Sequence, residues 1–177
     1  MTAAPLAVID YDPDCRACRA NAEPDQPLLV WQNDLWVLRH MARPYPALGW
    51  LVLHSRRHVP AMPLLPAREL ADLGPTIAVI SRAIVETTGA LRVYLASMTE
   101  DTPHFHAHLV PRYAEGPKGW AVFQQKDQSM VSPPDISDAA VAAIVDGVTR
   151  RLSGAPPSDQ GRSPLTPTRN PARPPKS

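Results

Sequence analysis

Between Pro103 and Pro111 the chain reads His104-Phe105-His106-Ala107-His108-Leu109-Val110, three histidines in strict alternation with apolar residues. Successive side chains on an extended strand point to opposite faces. The pattern therefore demands a strand with imidazoles on one side and packing residues on the other. Same-face neighbours sit roughly 6.6 Å apart on such a strand, close enough for three rings to share one cleft but too far for direct hydrogen bonds between them. A row of imidazoles is costly as mere packing. It makes sense as a metal site, as a nucleophile-and-acid set, or as both.

The 177 residues suffice for one domain with a real core and are too few for two ordinary ones. Apolar residues make up 44% and charged residues 20%, the balance of a soluble globular chain. A net charge of +1 provides no global field for nucleic acid or anionic lipid, so an anionic ligand needs a local site. Residues 1–14 lack the basic segment and apolar core of a signal peptide, and no apolar run approaches the roughly 20 residues that span a bilayer. A cytoplasmic protein is expected, with neither nucleic acid nor membrane as partner. Cys15 and Cys18 lie too close together to staple a fold.

The body, 1–152, is expected to form one domain. The segment 153–177, rich in proline and small polar residues, is expected to be a disordered tail. Leu28–Trp31 and Leu35–His40 flank Gln32-Asn33-Asp34 as a hairpin, and Trp50–His54 reads as a buried strand. Pro66–Thr88 carries Leu70, Leu73, Ile77, Ile80 and Ile84 at helical spacing, with Gly89 past its end; Gly74-Pro75 should kink or divide it. Leu91–Met98 and His104–Tyr113 read as strands joined by 99–103. A final amphipathic helix covers Ile136–Leu152. Strands clustered around one long helix predict an α+β fold with an antiparallel sheet.

Cys15-Arg16-Ala17-Cys18 has the spacing of a zinc knuckle, with His54, His58 and His104 as candidate imidazole partners. A redox dithiol would need a preceding strand and a helix N-terminus at the first cysteine, whereas the acidic turn Asp12-Pro13-Asp14 stands there. Unpaired surface cysteines are the plain alternative. For His104, His106 and His108 two chemistries compete. Two or three of them ligate a catalytic metal with an open position, or one is a nucleophile towards phosphorus while its neighbours orient it or protonate the leaving group.

The triad strand, continued by Pro111-Arg112-Tyr113, resembles the signature of the histidine-triad (HIT) family in its zinc-containing bacterial branch. Upstream, Gly49-Trp50-Leu51-Val52-Leu53-His54-Ser55-Arg56-Arg57-His58-Val59 resembles the family's glycine-led strand and basic turn ending in histidine. The resemblance implies a HIT-like fold, with a five-stranded antiparallel sheet, one long helix and one C-terminal helix. It also implies a nucleotide hydrolase or nucleotidyl transferase acting on a nucleotide or nucleotide conjugate. In that scheme His106 attacks the α-phosphorus to give a covalent nucleotidyl-histidine, and His108 contacts the phosphate oxygens or the leaving group. The resemblance further implies a structural zinc held by Cys15, Cys18, His58 and His104, and a homodimer joining two sheets.

The chain also departs from the family pattern. Trp50 stands where the family's first strand has an active-site histidine. Thr99-Glu100-Asp101-Thr102 replaces a Gly-Gln-Ser-type phosphate loop, and Ala42 replaces an acidic residue for the ribose. Two poorly solvated carboxylates beside a polyphosphate would repel it by several kcal/mol. Trp50, Glu100, Asp101 and Arg112 are the candidate substrate-binding residues. The alternatives are a non-catalytic nucleotide-binding protein on the same scaffold, and a metalloenzyme using the His-x-His-x-His strand.

Overall fold

A computed structural model describes residues 8–23, 26, 28–128 and 136–154. It contains α1 (Arg16–Ala22), β1 (Leu29–Gln32), β2 (Trp36–His40), β3 (Leu51–Ser55), α2 (Ala67–Thr88), β4 (Arg92–Ala96), β5 (His106–Arg112), α3 (Ala121–Gln128) and α4 (Asp138–Gly154). The strands form a five-stranded sheet in the order β1-β2-β3-β5-β4, every neighbouring pair antiparallel. This is the α+β architecture expected.

Period-two alternation decides which face of the sheet does what. Leu51, Leu53, Ala107 and Leu109, with Phe105, Trp36 and Leu38, pack against Leu73, Ile80, Ala83 and Ile84 of α2 and Val148 and Leu152 of α4. Trp50, Val52 and Val110 turn the other way and form a smaller cluster with Val122 of α3. The register Val52↔His108 and His54↔His106 puts the two strand histidines on this second face.

Four details differ from the sequence reading. α2 is not divided at Gly74-Pro75 but continues through Pro75 to Thr88. Ala71, Gly74 and Pro75 are all exposed, so the carbonyl that proline leaves without its N–H partner faces water. Leu70 is 44% exposed; Glu69 is buried in its stead, its Oε1 accepting from Arg57 Nη2 at 2.7 Å and Nε at 3.1 Å. β5 begins at His106, not His104, because the His104 amide donates to the Thr102 carbonyl in a turn. α4 runs on to Gly154, and the remainder of the expected tail, 155–177, lies outside the described residues.

The α2–α4 crossing depends on one missing side chain. A Cβ built on Gly147 would lie 2.6 Å from Thr87 Cγ2. Gly147→Ala should therefore destabilise the fold by about 1–3 kcal/mol, although alanine is the better helix former. Urea unfolding checks this, and an unchanged or raised midpoint contradicts it.

Candidate active site

Two clusters meet at the start of β5. The first is built on α1, whose N-terminus Cys15 caps while Cys18 lies within one turn of it. Residues three apart share a helix face, and both thiols are buried rather than on the surface. A two-way backbone bridge between Ile9 and His58 ties the segment before α1 to the basic turn. Cys15 Sγ and Cys18 Sγ each lie 3.5 Å from His104 Nδ1, and Cys18 Sγ lies 3.6 Å from His58 Nδ1. All four donor atoms fall within 4.8 Å of one another. Tetrahedral zinc with ordinary Zn–S and Zn–N bonds places sulfur and nitrogen about 3.6 Å apart, so the donor set fits zinc.

The outer partners fit as well. His104 Nε2–H donates to the Ser55 carbonyl at 2.8 Å, which leaves Nδ1 bare towards the sulfurs. His58 Nε2 faces Asp12 Oδ2 at 3.7 Å. Such contacts set the tautomer and orientation of metal-binding imidazoles. Burial above all pushes the Cys18 thiol up to about 11, so a metal must displace its proton.

The second cluster is a cavity of about 340 Å³ lined by Met98, Glu100, Asp101, Thr102, His106, His108, Trp120, Phe123 and Gln124. That volume lies at the lower end of small-molecule sites. His106 Nδ1 is 2.7 Å from the His104 carbonyl. A carbonyl only accepts, so Nδ1 carries a proton, and in the neutral ring Nε2 is the nitrogen that keeps its lone pair. His108 has the opposite arrangement. The Trp50 indole, which can only donate, gives its Nε1–H to His108 Nδ1 at 3.0 Å, so the proton of the neutral ring is on Nε2. The two rings meet edge to face, centroids 5.2 Å apart.

His104 is absent from this cavity, since its ring turns to the cysteines. The three rings of the motif thus divide between two clusters instead of sharing one cleft. Trp50 is buried behind His108 and is not among the cavity-lining residues. Arg112 stands six residues beyond His106 on β5, about 20 Å along the strand, and does not line the cavity either. Glu100 and Asp101 do line it, and both are exposed. His54 lies outside the cysteine cluster: it stacks on His106 with centroids 5.7 Å apart and planes 29° from parallel. Burial, with His106 and His104 alongside, drives its imidazole well below the usual range, and its Nδ1 has no hydrogen-bond partner among the described residues.

Sequence reasoning missed the wall formed by α3. Trp120, 65% exposed, and Phe123 tilt against each other with centroids 5.5 Å apart. Two aromatics three residues apart after Gly119 were the available signal.

No protein-family model matches the chain, and no curated protein matches it. Solved structures do. A Hit-like protein involved in cell-cycle regulation from Bartonella henselae superposes with a TM-score of 0.61 at 13% identity, over 80% of this chain and 98% of that one. A zinc-bound histidine-triad family protein from Mycobacterium smegmatis gives 0.59 at 17% identity, again over 80% and 98%. A hypothetical histidine triad nucleotide-binding protein from Sulfolobus tokodaii gives 0.54 at 13% identity, over 71% and 83%. With the sheet order, the long α2 and the triad strand, these likenesses establish that the chain has the histidine-triad fold.

Proposed function

We propose that the protein is a nucleotide hydrolase or nucleotidyl transferase acting at the α-phosphate of a nucleoside phosphate conjugate. The observation that carries this reading is the His106 tautomer. Its Nδ1–H is tied to the His104 carbonyl, and its unprotonated Nε2 belongs to a ring that lines an open cavity. A neutral imidazole held in this way is ready for in-line attack at phosphorus. The covalent nucleotidyl-histidine that results splits one hard displacement into two easier ones, with water or a second acceptor completing the second. The bond to the carbonyl steadies the positive charge that develops on the ring.

The same geometry tells against one catalytic metal shared by all three histidines of the strand. His104 lies outside the cavity that His106 and His108 line, with its Nδ1 towards sulfur and its Nε2–H on the Ser55 carbonyl. Cys15, Cys18, His58 and His104 would hold zinc as a closed, structural site that fastens α1 to the triad strand. A buried thiol pair suits a reducing, cytoplasmic setting, and no described helix is long and apolar enough to cross a membrane. We place a homodimer contact at edge strand β4, where Leu91 and Leu95 are 57% and 52% exposed beside α2.

Trapping tests the reading. Acid- and alkali-quenched samples from a panel of nucleotide conjugates should show a mononucleotide mass added to the intact chain and mapping to His106. Turnover with the adduct at another residue overturns it, and nucleotide binding without any turnover favours a binding protein instead.

The acidic rim has its own consequence. Removing both charges (Glu100→Gln/Asp101→Asn) should raise kcat/KM for substrates with a polyphosphate leaving group about five- to thirtyfold at low salt, with the gain shrinking towards molar salt. An equal effect on uncharged leaving groups contradicts the electrostatic explanation.

A further inference from the structure

We propose that Trp50 is a positioning residue that locks His108 as its Nε2–H tautomer. His108 then acts as a fixed hydrogen-bond donor to the phosphoryl group, and the leaving group departs without a proton from it. The second half rests on His106 being the nucleophile; the first half does not.

The lock is built from the strand register. Val52 pairs with His108, so Trp50, two residues back on the same face, reaches the histidine diagonally across the β3–β5 pair. The indole meets the imidazole edge-on, with planes at 88° and centroids 5.8 Å apart. Trp50 is 1% exposed, and its ring is wedged at 89° against Phe123. Its backbone is fixed as well. The Trp50 carbonyl accepts from Met41 N–H at 2.9 Å, and the Gly49 amide donates to His40 Nε2 at 2.9 Å. Gly49 has φ +79°, and a Cβ there would lie 3.1 Å from Thr88 Cγ2, so glycine is required. His40 can accept because its own Nδ1–H is spent on the Met41 carbonyl.

An indole has a donor and no acceptor. A proton on His108 Nδ1 would set N–H against N–H in a dry site, and one buried donor would lose its partner. The contact with Trp50 therefore favours the neutral ring with its proton on Nε2. A neutral imidazole that surrendered its Nε2 proton would become imidazolate, so it offers that hydrogen for bonding and keeps it. The titratable groups around it among the described residues are His106 on its own strand, His54 on β3, and Glu100 and Asp101 on the cavity wall.

In the displacement, the His106 Nε2 lone pair forms the phosphorus–nitrogen bond. The bond from phosphorus to the leaving atom breaks, and its electron pair goes with the leaving group, which departs as an anion. The substrates favoured are thus nucleotides joined to weakly basic groups, such as a carboxylic acid or a phenol. Alkoxide- or amide-type leaving groups, which need a proton on departure, are disfavoured. The acidic rim separately selects against polyphosphate.

Nitrogen-15 NMR of the wild-type full chain, with His108 assigned against His108→Gln, should show an unprotonated Nδ1 and a protonated Nε2 near neutral pH. A proton on Nδ1, alone or as imidazolium, overturns the proposal, and this measurement needs no altered tryptophan. Turnover of nucleoside 5′-aryl phosphates graded by phenol acidity should fall steeply as the phenol weakens. Trp50→Phe and Trp50→His free Nδ1 to take a proton. They should raise the rate on the weakest phenols about 10²- to 10⁴-fold relative to the strongest, the range of general-acid catalysis. An unchanged slope in a Trp50 variant that keeps its zinc and its thermal transition overturns the proposal. If His108 shows the stated tautomer while His106→Ala remains fully active, the functional reading fails and the tautomer lock stands.

Discussion

Replacing His106 by alanine is expected to lower kcat/KM by about 10⁴-fold or more on any conjugate the protein turns over, because the proposed covalent route would disappear with its nucleophile. The fold should survive. His106 is only half-buried on the cavity side of β5, and its strand neighbours Ala107 and Leu109 hold the core contacts. Thermal unfolding and zinc content should stay close to wild type, so the loss reads as chemistry rather than collapse. His106→Ala with intact turnover on every active substrate would remove the enzymatic account. A loss confined to KM would point to binding alone.

The second large effect is expected from Cys15→Ser/Cys18→Ser. The double variant should bind no zinc and lose about 5 kcal/mol of folding free energy or more, since metal binding at a closed site is folding energy. The thermal midpoint should fall by about 10–20 °C. In the wild type, zinc should be released as pH falls. The metal-free Cys18 thiol titrates near 11, so below that value each unit of pH lost costs the site about tenfold in affinity for every thiol proton that must be displaced. Metal analysis after dialysis at graded pH, with calorimetry alongside, measures both effects. Full metal retention in the double variant sinks the assignment.

The sheet and the long helix were legible because their signals are periodic. Leu51, Leu53, Ala107 and Leu109 announce one buried face by alternation, and Gly89 ends α2 where the helical pattern stops, in the left-handed conformation at φ +70°. The site was legible only residue by residue. Alternation places His104, His106 and His108 on one face, but it cannot show that the chain turns at His104, because the pull comes from Cys15 and Cys18, far away in sequence. The role of Trp50 depended on register. That it backs onto His108 follows from Val52 lying opposite His108, and pairing between strands so far apart along the chain leaves no mark in local composition. α1 and α3 escaped because seven- and eight-residue helices draw their stability from what they dock against rather than from their own sequence.

Residue 104 sits at a junction. Its ring faces the two sulfurs, while its peptide oxygen, a few bonds away, grips the Nδ1–H of residue 106. A chelator or oxidant that reached the cysteine pair would take away that ring's sulfur partners and leave it hydrogen-bonded to Ser55 alone, so the peptide of residue 104 would be less firmly placed. The proposed nucleophile would then be less well aimed although nothing in the cavity had been touched. An activity assay would register such damage as inhibition, while a ligand soaked into the cavity would report an intact wall.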